Sequence, residues 1–301
     1  MKTRETEFLK VSKTVKGLLM LMRASLMLAI IGVLLVGIIP VVSFAASKSD
    51  RIRISYESPE NPAHLEIAAL TKERRTLERL KEFLSPFQLP RRLTIEVAGC
   101  DGEADAFYED RLITICYEYI QALLDNAPRE TTASGVERYD AVAGPLVDTT
   151  LHEFAHALFD MLKIPVLGGE EDAADQVSAY IYLQLGYEES RRLIAGTAYA
   201  YLHEAVSGDS PSSLEDFADE HSTPAQRAYN VLCMAYGADS KLFANVVGEQ
   251  QGFLPTERAM YCEEEYERVQ DAYEALIEPY LDQAMARKNF DRAWLKQKQT
   301  H

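Results

Sequence analysis

The run Thr150-Leu151-His152-Glu153-Phe154-Ala155-His156-Ala157-Leu158-Phe159-Asp160 constrains this chain more than any other stretch. It places His-Glu-x-x-His inside an apolar segment. On a helix, positions i and i+4 share a face one turn apart, so His152 and His156 can aim two imidazoles at one ion. Glu153 stands between them and can reach a water held by that ion. Two nitrogen ligands and a carboxylate base at this spacing are the parts that metal-assisted peptide hydrolysis needs. The blander reading is two packed or solvated histidines. It does not account for a glutamate held between them on an otherwise apolar helix face.

Zinc needs a third protein ligand to leave one open position. Downstream lies Gly168-Gly169-Glu170-Glu171-Asp172-Ala173-Ala174-Asp175, which reads as the start of a second helix. Acidic residues are favoured in a first helical turn whatever their role, because the macrodipole stabilises them. Together, His-Glu-x-x-His and Glu-x-x-x-Asp resemble the zincin superfamily, specifically its glutamate-ligand branch. That resemblance implies Glu171 as the third zinc ligand and Asp175 as the carboxylate orienting a ligand histidine. The interval between the two helices is shorter than in thermolysin-like enzymes. It leaves Glu170, Glu171 and Asp172 as alternatives, of which only Glu171 has a carboxylate four residues on.

Residues 1–45 read as lying outside the fold. Six Lys and Arg, from Lys2 to Arg23, precede an apolar run, and Ser43-Phe44-Ala45 has small residues where a leader peptidase cuts. The segment is expected to be a secretory signal peptide cleaved after Ala45. An uncleaved N-terminal anchor is the alternative, since the run approaches a membrane span. Residues 46–301 then form a single domain. Beyond residue 45 the chain carries 25 Lys and Arg against 45 Asp and Glu, an excess that argues against nucleic acid and anionic membrane surfaces as partners. Export to the periplasm or beyond gives the four cysteines an oxidising setting. Cys100–Cys116 and Cys233–Cys262 is the preferred pairing because it closes short loops. Four buried thiols is the other reading.

Alternation predicts strands over 51–56, 93–98 and 112–117, and helical spacing predicts a helix over 65–84. A short helix follows over 119–126. Residues 128–140 are polar and expected to form a loop over the site. Gly144-Pro145 should open the metal helix with Pro at its first position, and Ile164-Pro165 should end it. Further helices are expected over 170–185, 188–206 and 257–286. One more begins at Pro224, with a Thr223–Gln226 capping box, and ends at Gly237. The fold class is therefore α+β: a small, mostly antiparallel sheet packed on a helical body that carries the metal helix.

The whole chain beyond its leader also resembles a bacterial family of exported metallopeptidases. The residues that carry this resemblance include Ala106-Phe107-Tyr108, Ile115-Cys116-Tyr117-Glu118, the two metal-helix motifs and Gln226-Arg227-Ala228-Tyr229-Asn230. It implies a zinc-dependent peptidase acting on a peptide or protein, with an edge strand near 105–118 that pairs with extended substrate, and supplies no particular substrate. Glu153 is then the general base. His221 or Arg227 would stabilise the oxyanion, although either is equally well a polar loop residue or a solvated cation. Two other readings stay open: a non-catalytic scaffold that keeps the fold, and a hydrolase acting on another amide such as a cell-wall peptide.

Overall fold

In the computed structural model, residues 51–207, 217–249 and 254–290 are described. Residues 1–45, expected to be a leader, lie outside the described residues. β1 (Ile52–Tyr56), β2 (Leu93–Ala98), β3 (Ala106–Glu109) and β4 (Leu112–Cys116) form one sheet in the order β1-β2-β4-β3. Leu93, Ile95 and Val97 of β2 and Ile113 and Ile115 of β4 are fully buried, which is where the sheet meets the helices.

The class is α+β as expected, but the sheet is mixed rather than mostly antiparallel. β1–β2 and β2–β4 pair parallel, and only β3–β4 is antiparallel. The connections explain this. α1 (Leu65–Arg74) and α2 (Thr76–Leu84) cross over between β1 and β2, with a break at Arg75 in left-handed conformation. A tight turn through Asp110 and Arg111, both at positive φ, reverses the chain between β3 and β4. β4 thus slots between β2 and β3, and the edge falls to Ala106–Glu109, upstream of the third predicted strand.

α3 (Tyr117–Asn126) leads to α4 (Arg138–Leu162), the long helix that carries His152, Glu153 and His156. Pro145 lies inside α4, not at its start. An interior Pro costs roughly 3 kcal/mol. Two anchors ahead of it hold the extra turns. Arg138 donates to the Leu124 and Ala127 carbonyls at 2.7 and 2.8 Å, and buried Asp140 takes a bidentate pair from Arg192. Residues 128–137 pack at this end of the helix, where Val136 is buried with Ala127 and Ala141. None of them lines the metal cleft, so they do not form the expected cover over the site.

α4 ends at Lys163 in left-handed conformation, ahead of Ile164-Pro165. α5 (Glu170–Tyr182) returns beside it, and α6 (Tyr187–Ser207) crosses it. At that crossing a Cβ on Gly196 would overlap the Asp140 carbonyl, and one on Gly144 would overlap Leu193. Both obstacles are backbone, so Gly196→Ala is expected to destabilise the protein by about 1–3 kcal/mol or more in urea unfolding. An unchanged midpoint would mean the helices can part without loss.

α7 (Pro224–Ala238) starts with the expected capping box. Gly237 does not end it. A Cβ there would overlap the Cys262 carbonyl, so Gly237 lets α7 lie against α9 (Cys262–Leu276). The expected single C-terminal helix is three: α8 (Thr256–Ala259), α9 and α10 (Gln283–Phe290), interrupted around Pro279. Both disulfides have the neighbour pairing, Cys100–Cys116 and Cys233–Cys262. Among the described residues, no helix is long and apolar enough to cross a membrane.

Candidate metal centre

His152 and His156 project from one face of α4, and Glu171 reaches them from the first turn of α5. His152 Nε2 lies 3.0 Å from Glu171 Oε2, His156 Nε2 lies 3.2 Å from the same oxygen, and the two Nε2 atoms are 3.2 Å apart. Ligand atoms held tetrahedrally at zinc's usual 2.0–2.2 Å sit roughly 3.3–3.6 Å from one another. The triangle has the right size and donor chemistry for such an ion, and it is a His-His-Glu group that can hold a metal.

The outer nitrogens decide which way the lone pairs face. His152 Nδ1 is 2.7 Å from Asp175 Oδ1, and His156 Nδ1 is 2.9 Å from Glu170 Oε1. Each carboxylate holds a proton on Nδ1 and leaves Nε2 turned into the cleft. Burial opposes a second proton on His152, but hydrogen bonds with Asp175 and Glu171 outweigh it and lift its pKa to about 9. The His152 bond and the surrounding histidines take Glu171 down to about 2. Three acceptors this close need a proton or a cation among them.

The alternatives at the head of α5 separate by position. Glu171 meets both Nε2 atoms, Glu170 braces the far side of His156, and Asp172 accepts from the Ser222 hydroxyl at 2.7 Å. Asp175 sits one turn beyond Glu171 and receives the Arg227 fork at 2.7 and 2.8 Å. Burial resists its charge, but His152 and Arg227 hold its pKa near 2. Arg227 therefore commits its Nε and one Nη2 hydrogen to Asp175, while its guanidinium also lines the cleft. This link joins residues 52 positions apart, and nothing local announces it.

Behind these, buried Asp148 accepts from Ser178 and from Tyr201 at 2.9 Å, and the Arg227 guanidinium lies 4.6 Å over the Tyr201 ring. Burial and the Asp175 charge push Asp148 up to about 6. His221 Nε2 is 2.9 Å from Glu171 Oε2, and its ring stacks on His152. Glu153 is buried at the lip of the triangle. Burial raises its pKa to about 7, with His152 and His156 partly offsetting it.

The cleft holding this group is about 650 Å³. β3 forms one wall, fastened to α4 by Tyr108 donating to Asp160 at 2.8 Å. Cys116 N–H bonds to the Asp105 carbonyl, so by antiparallel alternation Ala106 and Tyr108 turn their backbone groups away from β4. The lead-in to β3 is pinned by Cys100–Cys116 and by Glu118, which accepts from the Cys100 and Gly102 amides.

A long helix with His-Glu-x-x-His, a second helix contributing a carboxylate, and a sheet edge along the cleft together describe a metallopeptidase. Residues 56–277 match the model of the DUF4344 family, described as "Putative metallopeptidase", and the chain belongs to that family. No curated protein and no solved structure matches it.

Proposed function

We propose that this protein is an exported zinc peptidase that hydrolyses a peptide bond with Glu153 as general base. One observation carries the reading: His152 Nε2, His156 Nε2 and Glu171 Oε2 converge to 3.0–3.2 Å with Glu153 beside them. Zinc held by these three would supply a Lewis acid that acidifies water and polarises the scissile carbonyl. Glu153 takes the proton of the attacking water and returns it to the leaving amine. Its raised pKa suits both steps. His221 Nε2 lies 2.9 Å from Glu171 Oε2, and with that oxygen given to the ion its N–H would be the donor to the oxyanion. An extended peptide adds to the outer edge of β3 through the backbone of Ala106 and Tyr108. Two disulfides and the leader-like N-terminus support an oxidising compartment outside the cytoplasm.

Metal content of the purified protein tests the site. The parent is expected to hold close to one zinc per chain. Glu171→Ala should lose it, while Glu170→Ala and Asp172→Ala should keep most of it. Zinc retained in Glu171→Ala would move the third ligand elsewhere, and a parent that takes up no zinc would remove the catalytic reading.

A further inference from the structure

A second cavity, of about 410 Å³, shares no lining residue with the metal cleft. α3 and α4 separate the two. Tyr119 and Thr149 line the cleft, whereas Ile120, Leu124, Val142 and Leu146 line this cavity. α1 supplies another wall with Leu70 and Thr71, and the Thr71 hydroxyl is spent on the Ile67 carbonyl at 2.7 Å. Small-molecule sites have this volume and this makeup, mostly apolar walls with a few placed polar groups.

The charged groups of the cavity are both cations. Among the described residues Arg74 and Arg138 line it and no Asp or Glu does, in a chain of net charge −16. Arg138 is held at the mouth by donating to the Leu124 and Ala127 carbonyls at 2.7 and 2.8 Å. Arg74 is uncommitted. Its guanidinium lies over the Tyr139 ring, 5.3 Å from the centroid, and has neither a hydrogen bond nor an ion pair among the described residues. A guanidinium laid over a ring keeps its N–H edge for a carboxylate. One free cation beside aliphatic walls matches a ligand with one negative charge and a saturated chain.

We propose that this cavity is a second binding site, for an anionic amphiphile: a single alkyl chain ending in a free carboxylate. The chain lies among Leu70, Ile120, Leu124, Val142 and Leu146, and the carboxylate meets Arg74. The test is calorimetric titration of the purified protein with hexanoate, octanoate, decanoate and decanol, each below its micellar concentration. Acetate buffer masks carboxylate binding at the metal. The fatty acids should bind at one site per chain, tightening about fourfold per added methylene. Arg74→Gln should weaken decanoate about fivefold and leave decanol unchanged. Val142→Trp, which fills the cavity, should abolish binding of both. Circular dichroism checks that each variant is folded, and the surface change Arg74→Gln carries the test alone if Val142→Trp is not.

No saturable binding of decanoate would overturn the proposal. So would decanoate binding that Arg74→Gln leaves unchanged, an equal loss for decanol, or binding that survives in folded Val142→Trp. Sedimentation with phosphatidylglycerol vesicles separates a membrane surface from a free ligand. Capture by vesicles without saturable decanoate binding would assign the arginines to lipid headgroups and overturn the proposal as well.

Discussion

Glu153→Gln is expected to keep its zinc and to lose peptide hydrolysis by about 10²–10⁴-fold, the usual contribution of a positioned general base. The amide has nearly the shape of the acid, and Glu153 is not one of the three converging atoms. Metal uptake should therefore match the parent's. Burial raises the pKa of Glu153 to about 7, so near neutral pH it can both accept and return a proton. Glutamine can do neither. Measuring kcat/KM beside metal content on the same preparation separates the base from the ligands. A variant that kept both metal and turnover would show that the proton goes elsewhere. One that lost both would show that Glu153 shapes the metal site itself.

Arg227→Ala should have the largest effect on stability, about 3–5 kcal/mol, because it removes one partner of a buried pair. Asp175 and Arg227 are each 17% exposed at their side chains, and the pair is bidentate. Without Arg227, Asp175 keeps a charge in a place where burial opposes it, with His152 as its remaining partner. Unfolding should be followed on metal-free protein, so that lost zinc does not enter the comparison. For a chain of this size the midpoint should fall by roughly 10 °C. Arg227→Lys restores a charge but not the fork and should recover only part of the loss. If Arg227 were instead the oxyanion donor, Arg227→Ala would cut kcat while leaving the unfolding midpoint in place. A midpoint unchanged with turnover intact would make it a spectator.

The same pair shows where local pattern stops being informative. Arg227 and His221 stood equal in the sequence as possible oxyanion donors, since both lie near the start of one helix. Arg227 faces Asp175 and His221 faces Glu171 because α7 lies across α5, which no spacing within either helix reveals. Pro145 and Gly237 misled for a related reason. Each has a strong terminal preference, and each was overruled by packing: Pro145 by the anchored turns ahead of it, Gly237 by contact with the Cys262 carbonyl.

What the sequence by itself determined was whatever repeats at helical spacing or closes over a short interval. The His152–His156 face, the Glu171–Asp175 face, the Thr223–Gln226 capping box and the two short-loop disulfides are of this kind, because i, i+3 and i+4 contacts follow from helix geometry alone. The tertiary structure alone decided the strand order β1-β2-β4-β3, the edge at Ala106–Glu109, and the seating of Arg227 on Asp175. Those depend on crossovers and on the angle between packed helices. Both are set by burial summed over the whole core and are not encoded at any one spacing.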